Sequence, residues 1–176
     1  MKKLIGIIAI LTIIFIYGCS KQPSSIKAKQ DGKPLIVMYG DFKCPYCKKV
    51  EDKVMPKLRN KYIDKNKVKF QYVNLAFIGK DSIIGSRAQQ AVNHYAPKYS
   101  LQFQKLMFEH QKDEDKKWIT HTLIDKQIDK LNISNKTKDK IKTNYKTKNS
   151  TSWKAAEKDK KLGKEHHIKQ TPTVFI

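Results

Sequence analysis

The stretch Leu35-Ile36-Val37-Met38-Tyr39-Gly40-Asp41-Phe42-Lys43-Cys44-Pro45-Tyr46-Cys47 decides the fold. Five apolar residues opened by Pro34 and closed by Gly40 predict a strand buried on both faces, because a strand with one wet face would alternate. The cysteines come directly after it. From Cys47 the apolar positions Val50, Val54 and Leu58 recur at helical spacing, so a helix is expected to start at the C-x-x-C. Pro45 suits its first turn, and Pro56 is expected to kink or end it.

Working toward the C-terminus, Val68-Lys69-Phe70-Gln71-Tyr72-Val73-Asn74-Leu75 alternates and is rich in β-branched and aromatic residues, which predicts a second strand and a right-handed βαβ unit. Residues 81–167 hold no strand pattern. Asp81 or Ser82, Thr120, and Ser150 or Ser152 are candidate caps for helices among the four or five expected there. Gln170-Thr171-Pro172-Thr173-Val174-Phe175-Ile176 reads as a third strand after an X-Pro bond.

Apolar residues make up 39% of the 176, enough for one domain or one with an insertion. The formal charge is +21, from 37 basic and 16 acidic residues. Only Arg59 and Arg87 are arginines, and lysines scattered without aromatic interleaving argue against nucleic acid. They fit a solvated surface, aided toward an anionic bilayer.

Working toward the N-terminus, Lys2 and Lys3 precede an apolar run from Leu4 to Ile16, and Gly18-Cys19 closes it. This is an export-signal pattern, and the Gly-Cys end resembles a bacterial lipoprotein signal, in which Cys19 would be acylated. An uncleaved anchor and an ordinary cleaved signal remain open. Each delivers the domain outside the cytoplasm, where disulfides persist. The segmentation is then signal 1–18, tether 19–32, a first α/β part 33–80, an inserted helical domain 81–150, and a return helix and strand 151–176.

The chemistry lies in Cys44-Pro45-Tyr46-Cys47. Two residues between cysteines at a helix start place the sulfurs within bonding reach. Cys44 would be exposed at the helix N-terminus, where free N–H groups and the macrodipole favour an anion. Cys47, one turn in, would be buried and less acidic. A lowered Cys44 pKa stabilises the reduced form and makes the disulfide a better oxidant. A titration near ~4 would put roughly 4 kcal/mol, or about 90 mV, behind that push. Rival readings are a zinc site completed by His166-His167 and a purely structural disulfide. His94, His110 and His121 read as surface or packing groups, and Glu51-Asp52 as a solvated helix face. Asp41 and Lys43 could bias the site's field, and Phe42, Tyr46 and Tyr39 could form an apolar rim for unfolded substrates.

The run from Gly32 to Cys47, with Val73-Asn74-Leu75-Ala76-Phe77, Lys80-Asp81-Ser82, Gly85-Ser86-Arg87-Ala88, Ser152-Trp153-Lys154-Ala155-Ala156-Glu157-Lys158-Asp159 and Thr171-Pro172-Thr173, resembles the DsbA family, particularly its lipoprotein type in staphylococci. The resemblance implies an α/β thioredoxin fold with an inserted all-helical domain. It implies oxidation of thiols in reduced, newly exported proteins, with Cys44 attacked by the substrate thiolate and Cys47 resolving. Pro45, Tyr46, Thr171 and a cis Pro172 would support the site beside the substrate. It implies no metal or nucleotide cofactor beyond the redox-active pair, and a monomer. Tyr46 stands where many members carry histidine. The family also continues past this strand with a hairpin partner and a final helix. The chain ends at Ile176, so a bare sheet edge and poor folding are expected. A reductase or isomerase, or a non-catalytic lipoprotein binding unfolded chains or metal, is the alternative.

Overall fold

Strand β2 (Lys33–Gly40) is the spine of the molecule. The computed structural model describes residues 29–176; the expected signal, Cys19 as a lipid-attachment site and most of the tether lie outside the described residues. β2 pairs in parallel with β3 (Lys69–Asn74), Leu35 opposite Lys69 and Gly40 opposite Asn74. It pairs antiparallel with β4 (Thr173–Phe175), Met38 opposite Val174. The last part of the expected tether is not free chain: β1 (Lys29–Gln30) forms a hairpin with the start of β2. Its turn, Asp31-Gly32, has φ of 51° and 72°, the left-handed pair that a two-residue hairpin needs and that Asp-Gly supplies.

Both faces of β2 are covered, which is why it reads as an unbroken apolar run. Leu35, Val37 and Tyr39 join Val73 and Leu75 of β3 and its exit in one cluster, with Ile168 and Phe175 packed against it. Met38 and Tyr72 point the other way, into a larger cluster with both cysteines of the motif and the inserted helices.

Helix α1 (Pro45–Lys53) breaks at Val54, and α2 (Met55–Leu58) restarts before a π-helical turn over Arg59–Ile63. Pro56 has no N–H to donate back along the helix, so the ladder cannot cross it. The break corrects the expected apolar stripe. Val54 is 51% exposed, and the buried line is Cys47, Glu51 and Met55. Glu51 is therefore not on a solvated face. Its carboxylate takes a 2.6 Å ion pair from Arg59 and a 2.9 Å bond from Gln104, while Asp52 does face solvent.

The insert is helical, as expected: α3 (Ser82–Tyr95), α4 (Ser100–Glu109), α5 (His121–Asp129) and α6 (Asn135–Lys146), with α7 (Thr151–Glu165) returning to the sheet. Thr120 caps α5, Ser134 caps α6 and Ser150 caps α7, each accepting from the N–H three residues on. Among the described residues no helix is long and apolar enough to cross a membrane.

Three contacts tie the insert, α7 and the sheet together. Asp159 of α7 accepts from the Asn74 N–H and from Gln90 of α3. The Arg87 guanidinium lies 3.2 Å above the Trp153 ring centre. Lys43, just before the cysteines, is buried with Asp81 in a 2.9 Å ion pair. The same ammonium reaches the Lys116 carbonyl, and the other Asp81 oxygen takes the Trp118 and Ile119 N–H groups. Lys43 and Asp81 thus clamp the 113–119 loop onto the motif instead of presenting charge to the thiols. Burial pushes the Asp81 pKa up, but the Ile119 N–H, the Lys43 ammonium and the Trp118 N–H outweigh it, and the net shift is downward. A depressed carboxylate stabilises the fold above its unfolded pKa, and that stability is lost as pH falls through the lowered value.

Two substitutions test this packing. Asp81→Ala strands a buried ammonium and two N–H groups, so chemical denaturation should show a loss of about 3–5 kcal/mol; a loss under about 1 kcal/mol would contradict the clamp. Gly163→Ala gains about 1 kcal/mol of helix propensity, but the new Cβ would lie 2.4 Å from Leu75 Cδ2. Overpacking of about 1–3 kcal/mol wins, and the Tm should fall; a rise would show that Leu75 has room to turn away.

Candidate functional site

Cys44 is the N-cap of α1, with extended backbone. That conformation turns its side chain back over the first turn, where the Cys47 N–H donates to the Cys44 sulfur at 3.3 Å. The position before it is fixed from several sides. Asp41 is fully buried. Its carboxylate accepts from the Lys43 N–H and the Ser82 hydroxyl on one oxygen and from the Phe77 and Ile78 N–H groups on the other. Gln111, at the exit of α4, donates to the Phe42 carbonyl at 2.6 Å and to the Cys44 carbonyl at 3.0 Å. Asp41 was read as a possible source of field; its contacts show a residue that ties the turn together.

Thr171 and Pro172 meet the cysteines from the far end of the chain. The Thr171–Pro172 bond is cis, as expected, and the Thr171 carbonyl lies 3.4 Å from the Cys44 sulfur. This loop and the helix start enclose Cys44, which is 2% exposed, so the expected exposure of the first cysteine does not hold. Cys47 is fully buried, as expected. Tyr46 is 61% exposed and Phe77 53%, whereas Phe42 and Tyr39 are core residues. Of the three residues expected to form an apolar rim, only Tyr46 is exposed.

Both cysteines are free thiols here, and their environments push them apart. The Cys44 pKa is lowered to about 6. The hydrogen bond from the Cys47 side chain does most; burial opposes it, and the Thr171 side chain and the Cys47 and Tyr46 N–H groups add to the lowering. Cys47 is pushed up, by the same hydrogen bond and by burial. In physical terms Cys47 holds the proton and donates it to the Cys44 sulfur, and the first turn supplies further N–H groups. No imidazole is needed beside Cys44, so Tyr46 in the motif leaves the anion supported.

The histidines stay out of the site. His166 Nδ1 sits 2.5 Å from the Tyr39 hydroxyl. His110 reaches the Leu106 carbonyl, and His121 stacks on Tyr145. Among the described residues no three His, Cys, Asp or Glu side chains converge as a metal would require. Neither Asp81 nor Gln111 was assigned a place in the site from the sequence, and Asp41 was given only a possible part in its field. Asp81 stood out only as a cap, and Gln111 carries no local pattern that would mark it.

The family described as Thioredoxin matches residues 26–176. Disulfide bond formation protein D of Bacillus subtilis (strain 168) is 33% identical over 162 residues, covering 89% of this chain and 71% of the relative. The crystal structure of oxidised BdbD from Bacillus subtilis superposes with a TM-score of 0.72 at 32% identity, over 84% of this chain and 78% of that one. A DsbA from Chlamydia trachomatis shares the fold, with a TM-score of 0.66 at 18% identity over 86% and 83% of the two chains. With a lowered and a raised thiol one helical turn apart beside a cis-proline loop, the chain belongs to the thioredoxin-like family, as a DsbA-type thiol–disulfide oxidoreductase.

Proposed function

We propose that the protein is a thiol oxidase working outside the cytoplasm, which passes the Cys44–Cys47 disulfide to reduced, exported proteins. The client thiolate attacks Cys44, and Cys47 leaves; a second client thiolate then displaces Cys44 and carries away the disulfide. Pro45 starts the helix, Tyr46 offers an apolar contact, and the Thr171 backbone beside the sulfur pairs with an extended client. The site is complete within one chain, which suits a monomer. Acylation of Cys19 would hold the protein on the outer face of the bacterial cytoplasmic membrane. The Lys2-Lys3 start and the apolar run support export, and a relative named for disulfide bond formation supports the direction.

One observation carries the reading: the Cys44 thiol is lowered to about 6 while its partner is raised. The sign follows from linkage. A depressed thiol pKa stabilises the reduced folded state fully above the unfolded value near ~8.5, and the gain is gone below the folded value. At pH 7 about one unit counts, which is about 1.4 kcal/mol, or about 30 mV toward oxidising power. That is about a third of what a pKa near ~4 would supply. The direction stands, and the thiolate makes a moderate contribution to it.

Two measurements check this. Thiolate ultraviolet absorbance of the reduced protein should rise with a midpoint near pH 6, vanish in Cys44→Ser, and move upward in Cys47→Ala, which removes the donated hydrogen bond. A first transition above pH 8 contradicts the assignment. In oxidative refolding of a reduced test protein, the oxidised chain should restore activity, and Cys44→Ser should restore none. Cys47→Ala, left with one thiol and no disulfide to pass on, should restore none either, and oxidised glutathione should trap it as the Cys44–glutathione mixed disulfide. Equal yields from the oxidised chain and the serine variant would sink the oxidase reading.

A further inference from the structure

Gln111 lies just past α4, and its side chain reaches 67 and 69 residues back along the chain. One atom makes both contacts: Nε2 donates to the Phe42 carbonyl at 2.6 Å and to the Cys44 carbonyl at 3.0 Å. A primary amide nitrogen carries two hydrogens, so each carbonyl takes one. The two carbonyls differ in need. Phe42 is fully buried, and burial alone calls for a donor to its carbonyl. The Cys44 carbonyl already accepts the Lys48 N–H at 3.2 Å. Satisfying a polar group therefore does not account for the second bond.

What the second bond fixes is an orientation. The peptide between Phe42 and Lys43 is held from both sides, its N–H by the Asp41 carboxylate at 2.9 Å and its carbonyl by Gln111. The next peptide gives its N–H, that of Cys44, to the Asp41 carbonyl at 3.0 Å. The peptide between Cys44 and Pro45 has no N–H, because proline lacks one, so only its carbonyl can be gripped. Where that carbonyl points is set by the ψ of Cys44, here 115°. The same angle decides whether the sulfur lies over the first turn, where the Cys47 N–H meets it at 3.3 Å. Gln111 is itself well anchored. Its N–H bonds to the Phe108 carbonyl, and the far end of its loop is fastened to Lys43 and Asp81 through Lys116, Trp118 and Ile119.

We propose that Gln111 is a positioning residue for exchange at Cys44: its amide holds the Cys44–Pro45 peptide so that the sulfur stays over the N–H groups of the first turn. The inference rests on Cys44 being the reactive sulfur, as proposed above. Gln111 acts through the backbone and gains or loses no proton. When the Cys44 thiol gives its proton to solvent, the charge left on sulfur falls on those N–H groups. Freed to turn, the same residue would lose part of that support. Glutamine suits the task because it supplies two donors from one neutral atom.

The test uses the full chain and two variants. Gln111→Met keeps the length and loses both donors; Gln111→Asn keeps the amide but falls one methylene short of the carbonyls. Thiolate ultraviolet absorbance of each reduced protein is followed across pH. The midpoint should lie near pH 6 in the parent and about one unit higher in Gln111→Met, an acid about tenfold weaker. Gln111→Asn should fall between them. At pH 7 the equilibrium with glutathione should shift about fivefold toward the disulfide form of Gln111→Met. A residue that only anchors its loop would lower the Tm and leave both readings in place. Midpoints within about 0.3 unit of the parent therefore overturn the proposal, and if only one variant folds, its midpoint decides. If the parent itself shows no midpoint below pH 8, the assignment of Cys44 fails instead, and this inference falls with it.

Discussion

One hydrogen bond organises the site: the thiol of Cys47, buried and unwilling to ionise, donates to the sulfur of Cys44 at the mouth of the same helix. For that bond to exist, α1 must begin at Cys44, so that the side chain caps the turn and the second cysteine lies one turn deeper. The first turn then adds N–H groups aimed at the same sulfur. A free helix end would leave both thiols in water with nearly equal pKa values. Burial of one partner and capping by the other produce the difference on which exchange depends.

Much of the remaining structure serves to hold that helix start in place. Asp41 gathers four donors from three segments, Gln111 pins the carbonyls of Phe42 and Cys44, and Lys43 locks the 113–119 loop through Asp81. These are buried polar contacts, and each is satisfied, so each fixes a geometry while leaving no stranded charge. The helical insert therefore supplies the wall behind the motif as well as bulk. The opposite wall comes from residues 171–172, brought back by α7 and β4 to within 3.4 Å of the reactive sulfur.

The architecture was legible where a single local rule governed it. The unbroken run 35–39 announced a two-sided strand, the alternation at 68–75 a second one, and Thr120 and Ser150 the helix starts they cap. The cis bond at Thr171–Pro172 was legible only through its pairing with an upstream C-x-x-C. The Asp31-Gly32 hairpin was equally readable, since Asp-Gly is the turn's own signature, but it lay inside a polar stretch set aside as a tether. The errors share a cause. Helical periodicity was carried across Pro56, whereas the face that Cys47 buries continues at Glu51 and Met55 and leaves Val54 outward. Phe42 and Tyr39 looked available as a rim because nothing local shows which face the insert covers. Gln111 acts across a long separation in the chain, which no periodicity can reveal.

The central claim is that reduction leaves a proton on Cys47 and none on Cys44 at neutral pH. The pH dependence of the reduction potential tests it directly, because the slope counts protons taken up with the two electrons. The account predicts about 59 mV per pH unit below the Cys44 pKa and about 30 mV above it, with the break near pH 6. A single slope of about 59 mV running unbroken to pH 8 would show both thiols protonated and contradict the account.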